Sequence, residues 1–409
     1  MAMTASAHIV TVGATTSPDA DGAAITAALA SAGVAVVSRV FVEDDESALE
    51  QAVGSSDVLT IVLAGTGGSA GDIVRRVIAR VTGARLVLNE RLLATLQDRF
   101  RRLDRPLPRR AERLALLPQG AAVWVTADAE AAWAMESGQR AFAVLPRDAS
   151  LHLMIARHLI PFARDWAGAR GAAVVRTLRT AGVAAADVEE RLADWLGRDG
   201  DVTVSTIPAD GEVWVRLRAR GSTTADAARS LAKAETGIGA LLGEDCYGQD
   251  GDTLESVIGR MLLERGMSLA VAESCTGGLL GHRLTSVPGS SAYFERDIVV
   301  YSNRAMEELL AVPESLVSAH GSVSGPCAEA MARGVATLAG SSCALAVTGI
   351  AGPEGGTPAK PVGTVFVGLA LRGEARARRF FFAGDRAAVK WQSTQAALDM
   401  LRRSLREPS

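Results

Sequence analysis

The sequence predicts an α/β protein built as three consecutive modules. Three observations carry this prediction. At 409 residues the chain is too long for one typical domain. From residue 8 onward, short apolar runs alternate with helix-length segments, the pattern of a parallel sheet covered by helices. Two glycine-bearing breaks, DWAGARGA at 165–172 and GQDGD at 248–252, then interrupt it. The expected modules are a parallel-sheet domain over 1–168, a small α+β module over 169–249 and a second α/β domain over 250–409.

In the first module, strand HIVTVGA (8–14) precedes a helix over 21–32, strand AVVSRVFV (35–42), a helix over 45–54 and strand DVLTIVLAG (57–65). The six arginines of DRFRRLDRPLPRR (98–110) read as a solvated helix end and loop, because the chain has no basic excess to support a nucleic-acid patch. The middle module reads as strand VVRTLRT, helix DVEERLADWL, strands DVTVSTIP and EVWVRLRARG, and helix TADAARSLAKAETGIGALLG. It shows no catalytic constellation. The third module opens on helix TLESVIGRMLLERG, with Leu254, Val257, Ile258, Met261 and Leu262 at helical spacing, and strand SLAVAES follows.

Bulk properties exclude several classes. A net charge of −3 gives no electrostatic footprint for nucleic acid or an anionic membrane, so neither is an expected partner. No apolar stretch is long enough to cross a bilayer, and MAMTASAHIV lacks a signal-peptide core. The four cysteines show no CxxC or metal-ligand spacing and read as reduced thiols of a cytoplasmic protein. Neither a metal nor a cofactor is expected.

The chemistry concentrates in the last module. VAESCTGGLLGHRLTSVPGSSAYFERDIVVYSN (271–303), TGIAGP (348–353) and KPVGT (360–364) hold seven glycines, three prolines and many hydroxyls, a density suited to a small, anionic, oxygen-rich ligand. In AESCTGG an apolar strand ends at Glu273 and a helix follows. Free N–H groups at such a turn can hold an anion, Gly277 and Gly278 admit close approach, and Ser274 and Thr276 offer hydroxyls. A plain capped helix start is the alternative. In PGSS, Ser290 or Ser291 is a nucleophile if a base lies nearby, and otherwise a turn with a serine cap. TGIAGPEGG ends an apolar strand, where open α/β sheets bind ligands. Lys360 precedes a proline and sits on extended or turn backbone. Asp385 is a candidate N-cap with Arg386 in the first helical turn, where an arginine can pair with phosphate.

Taken together, AESCTGG, PGSS, YSN, HGSVS, TGIAGPEGG, KPVGT and GDR, in that order over about 250–405, resemble the C-terminal domain of the CinA family. The resemblance implies a nicotinamide mononucleotide deamidase: an amidohydrolase that converts this mononucleotide to nicotinate mononucleotide and ammonia without a metal. It places the nucleophile on Ser291 and lines the substrate site with Ser274, Thr276, Ser290, Tyr301, Thr348, Gly349, Lys360 and Arg386. It also suggests a homodimer. The family's catalytic lysine falls on Met306, which cannot accept a proton, and Arg304 faces another side of the helix. The alternative is therefore a nucleotide-binding or scaffold protein that has lost catalysis. The module order also resembles full-length CinA proteins, with a molybdopterin-binding-like domain first. That domain looks degenerate: GATTSPDADG (13–22) replaces a Gly-Thr-Glu start, GTGGSAGDIV (65–74) keeps only Asp72 of a paired aspartate, and LPRD (145–148) is all that remains of a proline-rich loop. The loss of paired carboxylates removes the expected metal ligands for pyrophosphate hydrolysis.

Overall fold

The structure is a computed structural model describing residues 5–13, 20–54, 58–64, 68–102, 104–125, 131–148, 150–168, 172–198, 200–209, 211–221 and 223–407. The chain forms two compact units. One comprises residues 1–175, 200–202 and 218–233; the other comprises 176–199, 203–217 and 234–409.

The first unit is built on β1 (Ser6–Val12), α1 (Ala20–Ser31), β2 (Ala35–Val42), α2 (Glu46–Val53), β3 (Leu59–Leu63), α3 (Gly68–Thr82), β4 (Leu86–Leu88), α4 (Glu90–Arg102), β5 (Leu116–Pro118), β6 (Ala122–Trp124), β7 (Ala132–Ser137), β8 (Arg140–Leu145), α5 (Leu151–Met154) and α6 (Ile160–Gly168). Its sheet runs β2-β1-β3-β8-β7-β6, parallel through β8 and antiparallel beyond. β3 is LTIVL, buried at every position, as a central parallel strand covered on both faces must be. Its alternate residues feed two cores: Leu59, Ile61 and Leu63 face α1 and α6, while Val62 faces α2 and α3. Asp45 caps α2 by accepting from the Ala48 N–H at 2.9 Å.

Most of GATTSPDADG and the threonine and first glycine of TGG lie outside the described residues. Asp72 is ion-paired with Arg75 and lies 3.2 Å from Arg113, so two guanidiniums already neutralise it. Arg147 donates to the Val12 carbonyl at 3.2 Å, and Asp148 accepts from the Ser150 N–H. Arg101 pairs with Asp98 at the exposed end of α4.

Next in the chain come β9 (Ala172–Ala181), α7 (Ala185–Arg191), β10 (Val202–Ala209), β11 (Glu212–Gly221), α8 (Thr224–Leu242) and β12 (Cys246–Gln249), in a sheet ordered β10-β11-β9-β12. β12 has no apolar run to betray it; its backbone simply completes the β9 edge. α7 stops at Arg191 and does not reach Leu196, which instead bridges to Val204. Glu212 is a hub here, accepting from Tyr247 Oη (2.8 Å), Trp214 Nε1 (2.7 Å) and Gln395 Nε2 (2.9 Å).

The last elements are α9 (Leu254–Glu264), β13 (Leu269–Glu273), α10 (Leu279–Thr285), β14 (Phe294–Val299), α11 (Asn303–Leu310), α12 (Glu314–His320), α13 (Gly325–Ala339), β15 (Cys343–Gly349), β16 (Thr364–Leu371), β17 (Glu374–Phe381) and α14 (Arg386–Arg406). Thr253 and Ser256 form a reciprocal capping box at α9. The sheet order is β14-β13-β15-β16-β17, with the first three strands parallel and the rest antiparallel. α9, α10 and α14 cover one face and α11 to α13 the other. The chain leaves β13 for β14 on one side and reaches β15 on the other. The strand order therefore reverses at β13, which opens a crevice at the strand carboxyl ends.

Candidate active site

Three loops leave the carboxyl ends of β13, β14 and β15 side by side, because these strands are parallel and in register: Glu273 lies opposite both Val299 and Val347. They carry AESCTGG, YSN and TGIAGP. The Ser274 N–H donates to the Val347 carbonyl at 2.9 Å, which joins the first loop to the third. Arg386, in the first turn of α14 behind its Asp385 cap, donates through Nη1 to the Gly352 carbonyl (2.8 Å) and through Nη2 to Tyr301 Oη (2.5 Å). One guanidinium thus clamps the second loop to the third. Tyr301 itself stays 64% exposed, so its ring face is open to a ligand.

Thr276 is fully buried in the first loop, and its Oγ1 has no hydrogen-bond partner among the described residues. A buried hydroxyl without a protein partner is satisfied by water or by a ligand. Thr348 is buried and donates to the Ser322 carbonyl at 2.8 Å. Gly349 permits a close crossing: a Cβ there would sit 2.7 Å from Val365 Cγ2 and 2.9 Å from the Thr364 carbonyl oxygen. Lys360, in the 357–360 turn, donates from Nζ to the His320 carbonyl at 2.9 Å. Ser274, Thr276, Tyr301, Thr348, Gly349, Lys360 and Arg386 therefore share the carboxyl-end rim.

Ser290 and Ser291 do not. They form a single helical turn before β14 begins. Tyr293 accepts from the Leu269 N–H at 2.7 Å at one end of β13, and the Val300 N–H donates to Glu273 at 2.7 Å at the other. At roughly 3.3 Å per residue, β14 alone separates Ser291 from the rim by about 20 Å. Ser291 is exposed, and its hydroxyl makes no hydrogen bond among the described residues.

Position 306 also belongs elsewhere. Met306 is 2% exposed, with its sulfur 3.9 Å from Cys327 Sγ, inside the core under α11 and α13. Arg304 points to solvent and pairs with Glu308 at 2.9 Å. Neither Met306 nor Arg304 therefore offers a base to the rim. Nor does Cys275 serve: burial pushes its thiol up to about 12, leaving it protonated at neutral pH.

Two features of the site escape a linear reading. The first corrects the expectation of free N–H groups at the start of α10. Glu273 is fully buried, and its carboxylate accepts from the Gly278 N–H (3.0 Å) and the Gly281 N–H (2.7 Å). The chain supplies its own anion, as an acidic residue at a helix start does. Against Glu273 lies Asp297 of β14, hydrogen-bonded to it and raised to about 7, first by burial and then by the Glu273 charge. The glycine at 281 makes room for this carboxyl: a Cβ there would come within 2.0 Å of Asp297 Oδ2.

The second feature is Lys390, one helical turn after Arg386 on α14. Its Nζ lies 3.6 Å from where a Cβ on Gly277 would stand, and it has no hydrogen bond or ion pair among the described residues. The i, i+4 spacing from Arg386 was the available signal. Lys390 and Arg386 thus place two cations of α14 at the rim, where the Gly278 and Gly281 N–H groups of α10 are already taken by Glu273.

Residues 251–405 match the CinA C-terminal domain, 175–248 the KH domain of damage-inducible protein CinA, and 3–165 the "probable molybdopterin binding domain". The chain is 39% identical over 394 residues to a CinA-like protein of Geobacter sulfurreducens, covering 95% of each chain. It is 38% identical over 393 residues to a CinA-like protein of Geobacter metallireducens, again covering 95% of each. Among solved structures, competence damage-inducible protein A from Klebsiella pneumoniae is 36% identical and aligns over 38% of this chain and 97% of that one, with a TM-score of 0.37. At these identities, sustained over nearly the whole of both curated relatives, the chain belongs to the CinA family.

Proposed function

We propose that the C-terminal domain binds a pyridine mononucleotide at the carboxyl-end rim and hydrolyses its carboxamide, converting nicotinamide mononucleotide and water to nicotinate mononucleotide and ammonia. The observation that carries this reading is the pairing of an open cation with an orphaned hydroxyl. Among the described residues, Lys390 stands against the Gly277 loop with no ion pair, and Thr276 Oγ1 is buried without a partner. Phosphate suits the lysine and Arg386, a flat pyridinium suits the exposed Tyr301 ring, and donors at the rim suit the oxyanion that forms when the carboxamide carbon is attacked. The four unbridged cysteines suit a reducing, cytoplasmic setting for such an enzyme.

A second reading, nucleotide binding without turnover, is favoured by the burial of Met306 in the core, where no base can act. Incubating the purified full chain with nicotinamide mononucleotide, and measuring ammonia and calorimetric binding together, separates the two. The deamidase reading expects ammonia release that Arg386→Ala sharply lowers. Saturable binding without ammonia supports the second reading, and no binding at all refutes both.

A further inference from the structure

Lys390 of α14 faces a second space beside the rim. A cleft of about 650 Å³ opens there, lined by Leu279 of α10, by Ala387, Ala388, Lys390 and Trp391 of α14, and by Gly211 in the turn before β11. We infer that this cleft takes the second aromatic group of a dinucleotide: the ligand is a pyridine dinucleotide, with its diphosphate between Arg386 and Lys390 and its other base against Trp391. The pyridine end rests on the function proposed for the rim; the other end does not.

The cleft continues the rim. Lys390 Nζ stands 3.6 Å from where a Cβ on Gly277 would be, and the same side chain lines the cleft. Leu279 follows the Gly277–Gly278 turn and Ala387 follows Arg386, so the cleft begins where the rim ends. All of these residues belong to one compact unit. The charge suits a ligand that bridges the two. Arg386 and Lys390 stand one turn apart on α14, so two phosphates in series match both cations, whereas a single terminal phosphate meets one of them best. Arg386 spends one N–H on the Gly352 carbonyl and one on Tyr301 Oη, which leaves others of its guanidinium for an anion.

Beyond Lys390 the chemistry changes. The walls become apolar, with Leu279, Ala387, Ala388 and Trp391, and no carboxylate lines the cleft among the described residues. A flat aromatic group suits such walls, and the volume falls in the range of small-molecule sites. The half-buried Trp391 ring is held in place: the Arg283 guanidinium carbon lies 4.1 Å from its centroid, and Arg283 is itself buried, paired with Glu255 and 2.7 Å from Thr394 Oγ1. An indole fixed in advance loses little freedom when a base stacks on it. The opposite wall is fixed too. A Cβ on Gly211 would stand 3.7 Å from Gln395 Cγ and 3.8 Å from Gln392 Cγ, and the next residue, Glu212, accepts from Gln395 Nε2 at 2.9 Å. The middle segment of the chain thus supplies one side of a ligand cleft.

The test is calorimetry of the full chain with three probes: nicotinamide mononucleotide, nicotinamide adenine dinucleotide and adenosine monophosphate. The dinucleotide should bind about tenfold tighter than the nicotinamide mononucleotide, and Trp391→Ala should bring that ratio down to about one, since stacking of a base on an aromatic side chain is worth about that factor. Trp391→Phe, which keeps an aromatic face, should retain most of the ratio. Ala387 is exposed, so Ala387→Trp fills the cleft without crowding the core and should lower the ratio as well. Equal affinity of the wild type for the two pyridine ligands, or a ratio that neither Trp391→Ala nor Ala387→Trp changes, overturns the inference. If nicotinamide mononucleotide does not bind, yet adenosine monophosphate does and loses affinity in Trp391→Ala, the pyridine reading fails and the aromatic cleft stands. No binding of any probe overturns both.

Discussion

Replacing Asp297 by asparagine should stabilise the protein at alkaline pH and leave it little changed in acid. Asp297 and Glu273 are two carboxyl groups in one buried place, and the Glu273 oxygens are already committed to the Gly278 and Gly281 N–H groups. Asp297 is therefore the partner that holds the proton, and its folded-state value is raised from 3.8 to about 7. For an acid raised on folding, the native state binds more protons than the unfolded state between those two values, so stability falls as pH rises through that window and is level above it. The full shift corresponds to about 4 kcal/mol. Solvent at a site that is not fully enclosed reduces this to about 2 kcal/mol. Asparagine donates the same hydrogen bond at every pH and carries no such penalty. Thermal unfolding of the full chain followed at pH 4, 5, 6, 7 and 8 should show Asp297→Asn gaining on wild type as pH rises, by about 4–8 °C at pH 8. Parallel curves at all five values would refute the shared-proton account of the pair.

Other expected outcomes follow from the packing. Gly281→Ala should cost about 1–3 kcal/mol in urea unfolding, because its Cβ would displace the Asp297 carboxyl. Met306→Lys should lower Tm by burying an ammonium in the α11–α13 core, and a rise in ammonia release would show instead that position 306 reaches substrate. Thr276→Val should barely change stability, since no hydrogen bond is lost, yet weaken mononucleotide binding severalfold in calorimetry; unchanged affinity would remove Thr276 from the site. Glu212→Ala should cost about 3 kcal/mol in urea unfolding by stranding Tyr247, Trp214 and Gln395.

The strands were legible because burial on both faces demands continuous apolar runs, as in LTIVL and LAVAE, and the helix starts because caps such as Asp45, Thr253 and Asp385 announce themselves. β12 was not, since CYGQ is fixed as a strand by backbone pairing with β9 and not by its side chains. Within the site, the residues at the strand carboxyl ends were legible from motif and topology together. The Glu273–Asp297 pair was not: the partners are 24 positions apart in sequence and meet only because β13 and β14 lie side by side. Nor could the sequence reveal that PGSS and YSN, with nine residues between them, stand at opposite ends of one strand. Proximity along the chain suggested one site where the backbone enforces a separation.

That separation constrains any mechanism more tightly than the missing lysine does. A general base can be replaced by another group or by water at a cost in rate, whereas a nucleophile about 20 Å from its substrate contributes nothing. Ser291 therefore either acts in trans or does not act. If it does not, the proposed ligand meets only the remaining rim residues, and Glu273 becomes informative. With its carboxylate taking the Gly278 and Gly281 N–H groups, the start of α10 offers less to phosphate, and more of the attraction for an anion falls on the side-chain cations, Arg386 and Lys390 of α14 among them. Binding carried by half-exposed side-chain cations weakens with ionic strength, whereas binding carried by a buried oxyanion pocket does not. The salt dependence of mononucleotide affinity thus reports which half of the site is at work. A steep loss between about 50 and 500 mM salt that is abolished in Lys390→Met assigns the affinity to α14, and a flat profile would show that the ligand is held somewhere else.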